Sequence, residues 1–431
     1  MSFQNPVIVI PGITATELHD DYPFRTETLW SMVFNRDYER ISLHPDDLRY
    51  ESIEPSHVFP GRVFEIYNDM IKALRHELSV QADKPTPVFA FPYDWRVDIQ
   101  ITAAKLADFI EEVIARTLLL KHYRGARDEI KVDLVGHSMG GLLILEYLSK
   151  HSDNSRAGKV VTIGTPYLGS IEAIVKITTG MSLLSGDIPK EREREAARAT
   201  PAVYQLFPSY EKAAIDDYGN DVDLYDTANI QESVVKSLME YVRMYSVDTP
   251  ATRREERARD ILELLLSRGR EHRDKVNSFN PGNANLEADD WLAILGVNTR
   301  TRIQMNVKRT TKGPWFIIED DQFVNELSPK NRDSRNTGDG TVPLKSSIPP
   351  FLPESKPVCV SHDDLGLFEL RDNALVRIAG LHGVMPAINL VQRLTVRHLR
   401  PDYRGRVWGR RIPGADKWEP PVRDLKEKTD Y

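Results

Sequence analysis

Three residues that together could make an alcohol oxygen nucleophilic stand in chain order at Ser138, Asp339 and His382. A serine hydroxyl is a poor nucleophile at neutral pH. It needs a base to take its proton and an acid to orient that base. Ser138 lies in Gly136-His137-Ser138-Met139-Gly140, a G-x-S-x-G pattern that holds its serine on a sharp turn between a strand and a helix. The flanks fit that context. "KVDLV" alternates before the serine, and Leu142, Leu143, Leu145 and Leu148 recur at helical spacing after it. The glycines lack a Cβ, which lets strand and helix approach closely. The competing reading is an ordinary small residue in a glycine-rich turn.

The acid and the base are read from position. Asp339 sits between two glycines in "NTGDGTVPLKSS", with Asp333, Asp363 and Asp364 as rivals. His382 lies in "AGLHGV" directly before a helical pattern, whereas the rival His362 lies in the acidic "SHDDLG" with a long segment still to follow. The order Ser, Asp, His is that of α/β-hydrolases. A tetrahedral intermediate also needs two backbone N–H donors for its oxyanion. Met139, following the nucleophile, and Ile13, behind the early "VIPG", are the expected pair. No metal-ligand spacing and no phosphate-cradling loop is found, so neither a metal nor a cofactor is expected.

These residues need a scaffold. "PVIVIPG", "TPVFAFPYDWR", "KVDLVGHS", "KVVTIGTPYLGS" and "WLAILGV" read as buried strands, with helical patterns between them, including Thr102 to Leu120. Strands alternating with helices imply crossovers, hence a mostly parallel sheet covered on both faces. From about residue 171 to 290 the strand signal gives way to charged, amphipathic stretches such as "KEREREAARAT" and "RREERARDILELLLSRGREHRDKV", expected to be solvated helix faces of a cap or lid. The expected organisation is therefore an α/β core over 1–170 and 291–400, a helical cap over 171–290, and an Arg/Pro/Trp-rich extension over 401–431. That extension reads either as a tail wrapped on the body or as an exposed interaction segment. "RIQMNVKRTTKGPWFIIE" is expected to form a hairpin, "ALVRIAGLHG" a last strand, and Val384 to Leu399 a closing helix.

Composition removes several function classes. The 431 residues are 41% hydrophobic and 28% charged, which suits a globular chain. A formal net charge of −7 lacks the basic footprint of a nucleic-acid binder. Cys359 is the single cysteine, so no internal disulfide is possible and a reducing, cytoplasmic compartment is expected. The apolar run at the N-terminus has no basic region before it and reads as a core strand, and no uninterrupted apolar run is long enough to span a bilayer. In "DYPFRTETLWSMVFNRDYERISLHPDD" the apolar "LWSMVF" reads as a membrane-touching loop, a substrate-covering loop or a buried anchor. Oligomeric state is not legible.

Beyond the elbow, the sequence resembles the lecithin:cholesterol acyltransferase-like α/β-hydrolases, among them a lysosomal phospholipase A and phospholipid:diacylglycerol acyltransferases. The resemblance is carried by "PVIVIPGITATEL", "FPYDWR", "GHSMGG", "IGTPYLGS", "TPAVYQLFP", "GDGTVPLKS" and the late His382, collinear from residue 6 to about residue 390. It implies an α/β-hydrolase fold and an enzyme that cleaves or transfers acyl groups through an acyl-serine, with lipid or smaller esters as substrates. It also implies Ser138, Asp339 and His382 as the triad, with Ile13 and Met139 as oxyanion donors, and it selects Asp339 over its rivals. Hydrolysis is the simpler default and acyl transfer to an alcohol the alternative. A hydrolase-like module that only binds a lipid or a protein is the reading from another class. Asp94, Trp95 and Arg96, and Gly164, Thr165 and Pro166, are expected to serve as scaffold.

Overall fold

Burial on both faces explains why the strand segments read as continuous apolar runs. The computed structural model describes residues 3–21, 25–31, 36–44, 52–58, 66–126, 129–181, 191–318, 338–365 and 380–429. Its strands are β1 (Val7–Ile10), β2 (Thr16–Asp20), β3 (Glu27–Trp30), β4 (Ile53–Val58), β5 (Val88–Ala90), β6 (Val132–His137), β7 (Ala157–Ile163), β8 (Ala214–Ile215), β9 (Trp291–Gly296), β10 (Met305–Thr310), β11 (Gly313–Ile317) and β12 (Val358–Val360). The helices are α1 (Ile66–Leu78), α2 (Ile99–Thr117), α3 (Met139–Lys150), α4 (Ile171–Thr179), α5 (Glu191–Arg198), α6 (Pro201–Tyr204), α7 (Glu232–Tyr245), α8 (Arg254–Ser278), α9 (Leu344–Ser347) and α10 (Asn389–Leu399).

The central sheet runs β5-β1-β6-β7-β9-β12, with every neighbouring pair parallel. Side chains of a strand alternate between faces. Thus Ile8, Ile10 and Leu134 pack with α2 and α3, while Val7, Val9 and Val135 pack with α1 and α10. From β1 the chain moves outward to β5, then returns to the other side of β1 and proceeds through β6 to β12. The reversal leaves a crevice between the C-terminal ends of β1 and β6, where open α/β sheets bind ligands. This is an α/β-hydrolase fold, and Ser138 lies at that crevice.

The hairpin forms as expected, β10 against β11, but it pairs with β8 rather than with the central sheet. Met305, Val307 and Phe316 share a buried cluster with residues of α4, α7 and α8. The stretches expected to be solvated helix faces are not fully so. In α5, Glu193 and Arg198 are buried, and in α8 so are His272 and Arg273. Their charges tie the cap to the core: Arg273 donates to the carbonyls of Pro166, Tyr167 and Gln205, and Lys275 to the Glu146 carboxylate on α3.

Two further expectations are corrected. Of the proposed last strand "ALVRIAGLHG", residues 374–379 lie outside the described set, and Gly380–Val384 is helical. The edge beyond β12 is taken by the C-terminal extension, whose Arg410 exchanges backbone hydrogen bonds with Cys359 at 2.8 and 3.1 Å. That extension is therefore wrapped on the body. Arg410 also pairs with the buried Asp364 at 2.5 Å, so an otherwise open edge is covered and pinned. The closing helix breaks into a 3-10 turn at Met385–Ala387 before α10, where Pro386 has no N–H to continue it. Among the described residues, no helix is long and apolar enough to cross a membrane.

The α3–α8 contact has a pH dependence. His272 is completely buried, with one ring nitrogen 3.3 Å from Glu146 and the other without a hydrogen-bond partner among the described residues. Burial lowers its pKa from 6.5 to about 4. The unfolded chain therefore takes up this proton first, and the site loses stability as pH falls from 6.5 towards 4. Replacing His272 with Gln, which keeps a donor for Glu146, should make that decline shallower in urea unfolding. Equal slopes in the two proteins would contradict this assignment.

Candidate active site

Ser138 occupies a backbone conformation that few side-chain-bearing residues adopt, φ 53° and ψ −125°. It joins β6 to the first turn of α3, and the strained bend presents its hydroxyl at the crevice. Glycine is required around it by contact. A Cβ on Gly136 would lie 2.7 Å from backbone atoms of Gly140 and Gly141, and one on Gly140 would strike the Ile10 carbonyl.

The predicted acid and base converge on that hydroxyl. His382 Nε2 lies 2.9 Å from Ser138 Oγ, and His382 Nδ1 lies 2.6 Å from Asp339 Oδ2. A neutral imidazole in this arrangement carries its hydrogen on Nδ1, donated to the carboxylate, and turns its Nε2 lone pair to the serine. The other oxygen, Asp339 Oδ1, accepts from the backbone N–H groups of Thr341 and Val342 at 3.0 and 2.7 Å. The His382 N–H donates to the Asp339 carbonyl at 3.0 Å. Asp339 is 1% exposed and His382 8%, so water competes little for these bonds.

The rivals are placed elsewhere. Asp364 is consumed by Arg410, Trp408 and Lys428. His362 faces Thr299 Oγ1 at 3.1 Å, and Asp333 lies outside the described residues. The backbone of Gly12 touches Ser138, since a Cβ there would sit 3.1 Å from the serine Cβ. Ile13 therefore borders the site on one side, and Met139, the first residue of α3, follows the serine on the other.

A second network was not read from sequence. Tyr67, on α1, accepts from the Gly12 N–H at 2.9 Å and donates to His137 Nδ1 at 2.6 Å. His137 Nε2 then donates to the His382 carbonyl at 2.9 Å. Burial, with His382 nearby, holds the His137 imidazole well below its ordinary pKa and therefore neutral, as this chain of donors requires. The network links the loop after β1, the elbow and the His382 segment. His137, lying inside the elbow pattern, was its one available signal. Tyr67 stands in no motif.

Other scaffold readings gain content. Asp94 and Arg96 form a buried pair at 2.7 Å, and Arg96 also donates to the Ile41 carbonyl. Gly164, with φ +56°, leaves room for the acid–base pair: a Cβ would lie 3.0 Å from Asp339 Oδ2 and 3.1 Å from His382 Nδ1. Leu29, Trp30 and Ser31 are buried, so this part of "LWSMVF" is an anchor, whereas residues 32–35 lie outside the described set. Trp30 stacks edge-on to Trp95 with centroids 5.0 Å apart. Both line a mainly apolar cavity of about 280 Å³ that also exposes Ser138 and His382 and runs beneath α4 and α5.

The family model described as lecithin:cholesterol acyltransferase matches residues 48–347. The chain belongs to that family. With membership goes an enzyme class, hydrolase or acyltransferase. A curated relative, "Lecithin-cholesterol acyltransferase-like 4" of Arabidopsis thaliana, is 24% identical over 430 residues, covering 87% of this chain and 74% of the relative. Among solved structures, the Tle4–Tli4 complex contains a chain similar in fold, with a TM-score of 0.58 and 15% identity over 89% of this chain and 98% of that one. The family match contains Ser138 and Asp339 and stops short of His382.

The crowding at Gly164 is testable. Gly164→Ala should lower kcat on an ester substrate at least about tenfold while costing only about 1 kcal/mol of stability, because the methyl group presses on the acid–base pair. Unchanged kcat in a folded variant would show that the pair tolerates it.

Proposed function

We propose that this family member is a serine ester hydrolase that acts on lipid-like esters through an acyl-serine intermediate. The observation that carries the reading is the hydrogen-bonded series from Asp339 through His382 to a serine on a strained turn, opening into an apolar cavity. Asp339 orients His382 and stabilises its cationic form. As Ser138 Oγ attacks the ester carbonyl carbon, His382 Nε2 takes the hydroxyl proton. The Ile13 and Met139 N–H groups donate to the oxyanion, helped by the positive N-terminal end of α3. The intermediate then expels the alcohol, which leaves with the proton held by His382. Water attacks the acyl-serine, gives its proton to His382, and the free acid departs as Ser138 is reprotonated.

The apolar cavity and the family support lipid-like substrates, and the single buried Cys359 supports a reducing compartment, for which we propose the cytoplasm. An alcohol in place of water would make the same enzyme an acyltransferase. A panel of p-nitrophenyl esters tests the reaction. Ser138→Ala, His382→Ala and Asp339→Asn should each lower kcat by at least about 10³-fold. A fluorophosphonate should phosphonylate Ser138 Oγ with loss of fluoride, adding the mass of its phosphonyl group in the unaltered protein only. Equal rates in Ser138→Ala and the unaltered protein would overturn the reading. Transacylated product on adding an alcohol would make transfer the main reaction.

A further inference from the structure

Strands β2, β3 and β4 form a separate antiparallel sheet in the order β3-β2-β4. Side chains of β2 alternate: Thr16, Leu18 and Asp20 are buried, whereas Glu17 and His19 share the opposite, partly exposed face. Pairing with β4 is irregular just here. Thr16 faces Val58 and Leu18 faces Pro55, so Ser56 and His57 together oppose the single residue Glu17. Such a bulge re-aims the side chains of its strand. It brings His57 to the two β2 residues, and one ligand-capable atom from each of Glu17, His19 and His57 lies within 4.8 Å of the others. Glu17 Oε2 is 3.5 Å from His19 Nε2, and the two imidazole centroids are 6.2 Å apart. Bonds of about 2.0–2.1 Å to one tetrahedral ion set its ligand atoms about 3.4 Å apart. Glu17 and His19 already have that spacing, and the exposed His57 closes the remainder by a small side-chain rotation.

The surroundings suit an ion. Among the described residues no Lys or Arg pairs with Glu17, although its side chain is only 16% exposed. His57 Nδ1 lies 2.6 Å from Ser56 Oγ. Donating its hydrogen there leaves the Nε2 lone pair for a metal, the outer hydrogen bond by which a ligating histidine is fixed in one tautomer. Thr28 Oγ1, 3.2 Å from His19 Nε2, is the contact that an ion would replace. We propose that Glu17, His19 and His57 bind one Zn2+ ion, with water in the fourth position. Two imidazoles and one carboxylate suit Zn2+, whereas Mg2+ and Ca2+ require oxygen ligands throughout. The expectation of no metal rested on linear spacing, and here the ligands come from two strands brought into register by a bulge. The ion ties β4 to β2 beside the cavity wall. Thr16, at the start of β2, accepts from Trp95 Nε1 at 3.2 Å, and Trp30 of β3 donates to the Thr14 carbonyl at 3.3 Å. The site touches none of the reacting groups, so the inference is independent of the ester chemistry at Ser138.

Calorimetric titration of chelator-treated, full-length protein with Zn2+ tests the site. One ion per chain should bind with a dissociation constant of about 10 µM or tighter. Millimolar Mg2+ or Ca2+ should not compete. His57→Ala, at an exposed position that leaves the fold intact, should weaken binding at least about tenfold, and His19→Gln and Glu17→Gln should do the same. Co2+ should give visible d–d absorption that Zn2+ abolishes and that His57→Ala lacks. Because the ion binds only the folded sheet, Zn2+ should raise the thermal midpoint of the unaltered protein and leave that of His57→Ala in place. No saturable uptake at about 100 µM Zn2+ overturns the proposal. So does an affinity or a thermal shift that survives His57→Ala, which would place the ion elsewhere.

Discussion

The molecule is organised around a single strained bend. Ser138 holds φ near +53°, a conformation that costs a side-chain-bearing residue about 1–3 kcal/mol and persists only where its surroundings over-determine it. Here they do. Leu142, Leu143, Leu145 and Leu148 of α3 are fully buried, and each contributes about 1.5–3 kcal/mol by leaving water. Helix α3 therefore cannot swing away from β6 to relax the serine. The glycines at 136 and 140 convert that constraint into geometry, because they let the helix start against the ends of β1 and β6 without steric conflict.

The cap depends on the same region through buried charge rather than through apolar packing alone. Arg273, fully enclosed, spends its guanidinium on three carbonyls at the loop after β7 and at the end of α6. A buried cation must find such acceptors or be expelled. Helix α8 is thereby held in one register against α3 and α6. Arg268 reaches Asp98, the N-cap of α2, at 3.1 Å and reinforces that register. The cap is thus fixed to the core by polar contacts of definite direction.

Legibility followed the range of each signal. The five core strands announced themselves by local apolar runs, and the elbow by a five-residue pattern with a strand before it and a helix behind. Asp339 and His382, which the structure brings to Ser138, stood out through chain order and loop context and, for Asp339 against its rivals, through the family resemblance. The solvation of α5 and α8 was misread because a charged run looks the same whether its charges meet water or distant carbonyls. The partners of Arg273 lie 106, 107 and 68 residues away in sequence. The hairpin was legible as a hairpin, but its attachment to β8 was not, since β8 has two residues and no pattern. Tyr67 was invisible for a similar reason: a tyrosine on an amphipathic helix is usually core, and only the fold brings its hydroxyl to Gly12 and His137.

That last network explains how His382 is positioned beside Ser138 from a helical turn instead of a strand end. A residue just beyond a strand inherits its position from the sheet. His382 does not, so its place is set by hydrogen bonds. Its N–H is held by the Asp339 carbonyl, its carbonyl by His137, and its Nδ1 by the Asp339 carboxylate. Two of these partners belong to Asp339, which follows β11 in the chain, and one to the elbow, so the imidazole is located relative to both Asp339 and Ser138. Neutral His137 is essential to this. As an imidazolium it would need a second acceptor at Nδ1, where the Tyr67 hydroxyl already donates and is itself fixed by Gly12. Burial, which disfavours that charge, thus keeps the donor direction single from Gly12 to His382. The loop carrying Ile13 and the turn carrying His382 are held in one chain of hydrogen bonds across the crevice.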